Sequence, residues 1–71
     1  MENIDIREYI INNFKDESKE KIRDSIETTI KFKDEDALIG LGVLFELVWN
    51  NLSNEEKDHH IDLINKSIKK E

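Results

Sequence analysis

The chain has 71 residues and no cysteine or proline, and its net charge is −6. That length suits one domain, 1–71, near the lower limit for an unassisted fold, since a chain of about 60 residues buries only ~60% of its unfolded surface. The composition excludes disulfide staples and thiolate metal sites, and the acidic balance argues against general nucleic-acid binding, because phosphate backbones repel it.

In chain order, Asp5 with Glu8 three residues on predicts a capping box that opens a first helix. Ile6, Ile10 and Phe14 then recur at four-residue steps, with Tyr9 and Ile11 flanking the same face. Lys15-Asp16-Glu17 reads as a charged connector, and Ser18 as the N-cap of a second helix with Glu20 in its first turn. Ile22, Ile26 and Ile30, widened by Thr29, form its inward stripe. Residues 1–33 are nearly balanced in charge, with seven bases against eight acids. A second connector, Lys33-Asp34-Glu35-Asp36, offers Asp34 or Asp36 as the next cap.

The stretch from Ala37 to Leu52 organises the rest, because Glu46 is its only charged residue. So apolar a helix is expected to be covered on more than one side. Leu38, Leu41, Phe45, Val48 and Leu52 follow heptad spacing, and Leu44, Leu47 and Trp49 broaden the arc. Ser53-Asn54-Glu55-Glu56 is the strongest helix start in the chain, a serine cap with glutamate three residues on. The fourth helix turns Ile61, Ile64 and Ile68 inward, with Leu63 beside them, and Lys66, Lys69 and Lys70 suit the negative pole of its dipole. The predicted fold class is all-α, a compact bundle of four short helices packed around the apolar third.

No arrangement in the sequence calls for catalysis, a cofactor or a metal. Gly40-Leu41-Gly42 lacks the third small residue of a dinucleotide loop, Phe45 standing in its place. Glycine within a helix costs about 1 kcal/mol relative to alanine, so Gly40 and Gly42 predict a close helix approach or a bend. His59 and His60, adjacent on a helix, point about 100° apart and do not readily hold one ion. Glu46 is expected to face solvent or to pair with Arg7, Arg23 or a lysine of an adjacent helix, rather than to serve as an acid with a raised pKa. Trp49 is core or rim, or an anchor for a partner. The candidate interaction residues are therefore Gly40, Gly42, Phe45, Glu46 and Trp49. An apolar arc this wide exceeds what a small chain readily covers, so a homo-oligomer (a dimer) or another protein is the expected partner. Weak DNA binding through Lys15, Lys19, Lys21, Arg23, Lys31 and Lys33 is the alternative, although acids alternate with these bases. Neither a small-molecule substrate nor a membrane is expected. The longest apolar run is shorter than the roughly 20 residues a span needs, and the first residues lack the pattern of a secretion signal, so the expected chain is soluble and intracellular.

The block Gly40-Leu41-Gly42-Val43-Leu44-Phe45-Glu46 resembles that of the minor small acid-soluble spore proteins of the I type. The likeness runs the length of the chain and is most specific from Leu38 to Trp49, where the family shows Leu-Pro-Gly-Leu-Gly-Val-Leu-Phe-Glu and ends in tryptophan. Arg7, Asn13, Ile22, Ile26, Ile30, Ser53, Glu56 and Lys57 also stand at family positions. Ile39 replaces the usual proline, which leaves the start of the third helix less firmly fixed, and Phe32 replaces a small residue. The resemblance implies a non-enzymatic protein made in the forespore and held in the spore core, in the cytoplasmic compartment. It does not imply the DNA coating of the major alpha/beta-type spore proteins.

Overall fold

The computed structural model describes residues 5–70. Four helices follow one another: α1 (Ile6–Phe14), α2 (Lys19–Lys31), α3 (Leu38–Asn50) and α4 (Asn54–Ile68), with a single 3-10 turn, Glu35–Ala37, leading into α3. No strand occurs among the described residues.

Helices α1, α2 and α4 each open on a side chain that satisfies an orphan backbone amide. The Asp5 carboxylate accepts from the Glu8 amide at 3.2 Å, although the reciprocal bond of a full capping box is not formed. Ser18 Oγ accepts from the Lys21 amide at 3.1 Å. The box at α4 is complete. The Glu56 amide donates to Ser53 Oγ at 3.1 Å, and the Ser53 amide donates to Glu56 Oε1 at 2.8 Å. These contacts rest on residues close in sequence, so each of these three starts is specified locally.

The α2–α3 connection contains a feature that the sequence reading did not foresee. Lys33 adopts φ 52°, the left-handed region. Its amide donates to the Ile30 carbonyl at 3.2 Å, and the Asp34 amide donates to the Thr29 carbonyl at 3.2 Å. That pair of bonds is a Schellman closure of α2, in a place where glycine is the usual residue. Asp34 then caps the 3-10 turn through the Asp36 amide, while α3 itself begins at Ala37 without a side-chain cap.

Packing departs from the expected compact bundle. Val43 is the only buried apolar residue among the described ones, at 7% exposure. The principal interhelical contact joins α1 to α3. Phe14 of α1, Ile26 and Thr29 of α2, and Gly40, Leu41 and Leu44 of α3 surround a small depression where three helices meet. The Cα radius of gyration is 14.2 Å, against about 11 Å for a compact domain of this length. The accessible surface is 6626 Å², whereas a compact 8.4 kDa chain exposes about 4,600 Å². The helices form an open array: the expected all-α fold of four helices is present, and the tight packing expected around α3 is realised only in part.

The inward faces differ from expectation in all four helices. In α1, Ile10 and Phe14 are half-buried, but Ile6 is exposed. In α2, Ile22, Ile26 and Thr29 turn inward while Ile30 is 60% exposed, because the stripe drifts by about 40° for each four-residue step. In α3, the predicted seam held Leu38, Phe45 and Val48, yet all three are exposed. Leu41 and Leu52 of that seam are half-buried as expected, and Gly40, Val43 and Leu44 turn inward beside Leu41. The buried face is rotated from the predicted seam by about one 100° residue step. In α4, Ile61, Ile64 and Ile68 are exposed at 49%, 41% and 72% rather than packed inward.

The left-handed Lys33 generates a direct test. Lys33→Gly removes the Cβ that disfavours this conformation, and it also makes the unfolded chain more flexible. The net gain expected is on the order of 0.5 kcal/mol, read as a higher thermal midpoint by circular dichroism. A loss of stability would show that α2 does not end in this closure.

Candidate functional site

The acid in the apolar helix and the aromatic pair beside it are held by different neighbours. Glu46 lies on the flank of α3 that meets α1, and Arg7 reaches it as a fork. Arg7 Nε donates to Oε1 at 2.6 Å and Nη2 donates to Oε2 at 2.8 Å. Arg7 is among the three partner types predicted for Glu46. Both side chains remain exposed, at 67% and 47%. An exposed pair of this kind contributes through its fixed two-point geometry, more than a single contact in water would. The hydrogen bond from Arg7 holds the Glu46 carboxyl below the ordinary carboxylate range, only partly opposed by desolvation. Glu46 is thus an ionised anchor, without the proton a general acid needs at neutral pH.

Phe45 and Trp49 stand next to α4, beside Glu46 on the same broad side of α3. Their ring centroids are 5.9 Å apart with a 41° tilt. Lys57 Nζ lies 5.3 Å from the centre of the Trp49 ring, a cation–π contact that ties the first turn of α4 to the end of α3. Asn51 Nδ2 donates to the Leu47 carbonyl at 2.7 Å and closes α3 before the turn into α4. Phe45, Glu46, Trp49 and Asn50 of α3 then form one wall of an apolar cleft, and Ile61 and Ile64 of α4 form the other. Trp49 is half-buried, while Phe45 is 42% exposed.

The two glycines separate. A Cβ on Gly40 would sit 3.9 Å from Ile10 Cδ1, an ordinary contact, and one on Gly42 would meet nothing within 4 Å. Neither glycine is required by a close approach inside this chain, which corrects that part of the reading. Of the five candidate interaction residues, Gly40 and Glu46 are engaged with α1. Gly42, Phe45 and Trp49 share the outward side.

The candidate nucleic-acid contacts do not converge. Lys15 closes α1, Lys19, Lys21, Arg23 and Lys31 are spread around α2, and Lys33 is in the turn after it. Arg23 Nε is taken by Glu27 at 3.1 Å, and Lys31 Nζ lies 5.7 Å from the Phe32 ring centre. Glu20 and Glu27 occupy the arc between Arg23 and Lys31, and Asp24 flanks Lys31 on its far side. His60 Nδ1 donates to the Glu56 carbonyl at 2.8 Å, and the two imidazole centroids are 6.5 Å apart. No group of three or more potential metal ligands occurs among the described residues. No helix among them is long and apolar enough to cross a membrane. The sequence reading missed Lys57 and the α4 wall of the cleft. The spacing from Trp49 to Lys57 across a short turn was the available signal.

Fold and site together define a small all-helical protein with an apolar cleft open to the surface. The family profile "Small, acid-soluble spore protein I" matches residues 4–68, and the chain belongs to that family. It is 33% identical to the small, acid-soluble spore protein I of Geobacillus kaustophilus, over 93% of this chain and 96% of that one. Its identity to the like-named protein of Geobacillus sp. strain WCH70 is 32%, over 93% of each chain. The corresponding figure for Halalkalibacterium halodurans is 30%, over 93% of this chain and 97% of the relative. No solved structure matches.

The Arg7–Glu46 fork carries a pH signature. The Glu46 carboxyl is depressed in the folded chain, so its contribution is complete above the ordinary glutamate value of about 4.3 and is lost as pH falls through the lower folded value. Glu46→Gln is expected to lower the thermal midpoint at neutral pH. The gap between the two proteins should then close between about pH 5 and pH 3. A gap unchanged over that interval contradicts the role given to the fork.

Proposed function

We propose that this chain is a non-enzymatic constituent of the dormant spore core, made in the forespore, that acts by self-association through the outward face of α3 and the cleft it forms with α4. The single observation that carries the reading is surplus surface. The accessible area is 6626 Å², about 2,000 Å² more than a compact chain of this mass exposes. A standard interface takes about 800 Å² from each partner, and obligate dimers take more. The surplus therefore fits an interface at the upper end of that range.

Its character supports the same reading. Phe45 of α3 lies exposed beside Ile61 and Ile64 of α4, and Leu38, Ile39 and Val48 add further exposed apolar surface along α3. Exposed apolar side chains grouped in this way are a mark of an interaction surface. Within that surface Phe45 and Trp49 are the aromatic anchors, of the kind that dominates binding energy at interfaces. Gly42, with open space above it, leaves the backbone accessible to a neighbour. Gly40 and Glu46 contribute indirectly by fixing α3 against α1. Membership in the small, acid-soluble spore protein I family supports the spore setting, and the resemblance is the ground for proposing the forespore and the core.

Analytical ultracentrifugation over a concentration series tests the proposal. The mass is expected to rise from 8.4 kDa toward twice that value, with Trp49 emission shifting to the blue as the cleft closes. Phe45→Ser should weaken association by about tenfold or more while leaving the helical signal intact. A strict monomer with unchanged Trp49 emission at every concentration contradicts it.

A further inference from the structure

We infer that the occupant of the α3–α4 cleft is α4 of a second copy, laid antiparallel across the first by a two-fold axis near Ile64. The inference rests on the self-association proposed above and specifies its geometry. Three observations carry it.

The first is the stripe on α4. Ile61, Ile64 and Ile68 fall at three- and four-residue steps and so share one helix face. Ile61 and Ile64 form one wall of the cleft, and Ile68, 72% exposed, continues the same helix face. A two-fold axis near Ile64 brings the second copy's stripe over this one and carries its Ile68 toward the aromatic wall.

Charge placement is the second. Glu55, Glu56 and Asp58 lie at the start of α4, and Lys66, Lys69 and Lys70 lie at its end. A parallel pairing would set acids against acids and bases against bases, whereas an antiparallel one sets each group against its opposite. Asp58 and Lys69 are eleven residues apart, about three full turns, so they flank the isoleucine stripe on the same side. In an antiparallel pair the same-side flanks of the two helices face each other. Asp58 of each copy then meets Lys69 of the other, twice per dimer. Both are exposed, and neither has a salt-bridge partner within the described residues.

The third is symmetry. A two-fold contact uses one surface patch twice and closes on itself, so the interface consumes surplus area on both copies equally and leaves no open end to form filaments.

Charge reversal tests this geometry apart from the association itself. Lys69→Glu and Asp58→Lys are each expected to dissociate about tenfold more readily than the natural chain, because two attractions become two repulsions. Mixed in equal amounts, the two variants should form a heterodimer of near-natural affinity, since both contacts are then again between opposite charges. The double variant Asp58→Lys with Lys69→Glu should likewise regain homodimerisation. Sedimentation of the singles, the mixture and the double variant gives the readout, with circular dichroism to show that each is helical. If the natural chain dimerises and the mixture does not recover, the antiparallel α4 pairing is wrong while self-association stands. If the natural chain stays monomeric throughout, the association reading falls and this geometry falls with it.

Discussion

An apolar helix of thirteen residues with charge at a single position asks for cover on all sides, and three short amphipathic helices cannot supply it. That mismatch governs the rest of the structure. α1 and α2 close over one side of α3, and Val43 there is the only buried apolar side chain among the described residues. The other side, with Phe45 and Val48, stays open. The chain has no disulfide to draw the helices together, and at this length a single core contributes only a few kcal/mol of stability.

What holds the array is mostly local. Serine and aspartate caps define where α1, α2 and α4 begin, and a Schellman closure at Lys33 defines where α2 ends. Between helices the specific contacts are few. Arg7 grips Glu46 with two hydrogen bonds and fixes the angle of α1 on α3. Lys57 over Trp49 does the same for α4. Both contacts involve exposed groups, so they orient the helices more than they drive burial. The result is a set of well-formed helices whose apolar faces are only partly spent on one another.

This division explains what was legible beforehand. Ser53 and Glu56, Ser18 and Asp5 announced their helices because capping depends on residues three positions apart. That Glu46 would meet a cation or water was legible, because a lone acid in an apolar helix must find one, but the choice of Arg7 came only with the fold. The face of α3 was not, because a helix apolar nearly all round has little periodicity to reveal its buried side. Hence Leu38, Phe45 and Val48 were assigned inward and lie outward. The isoleucines of α4 misled for a related reason, since an amphipathic stripe states that a face will be covered and not by whom. Lys33 gave no signal, because a left-handed residue that is not glycine carries none in its identity.

Membership in the small, acid-soluble spore protein I family gives this surplus a setting. Under the proposed reading, the apolar face left by folding is the working surface of the molecule, completed by a second copy. Small-angle X-ray scattering over a dilution series tests that account most directly. It predicts a Cα-scale radius near 14.2 Å in the dilute limit and a forward-scattering mass that doubles as concentration rises. A concentration-independent monomer with a radius near the ~11 Å of a closed domain would contradict it.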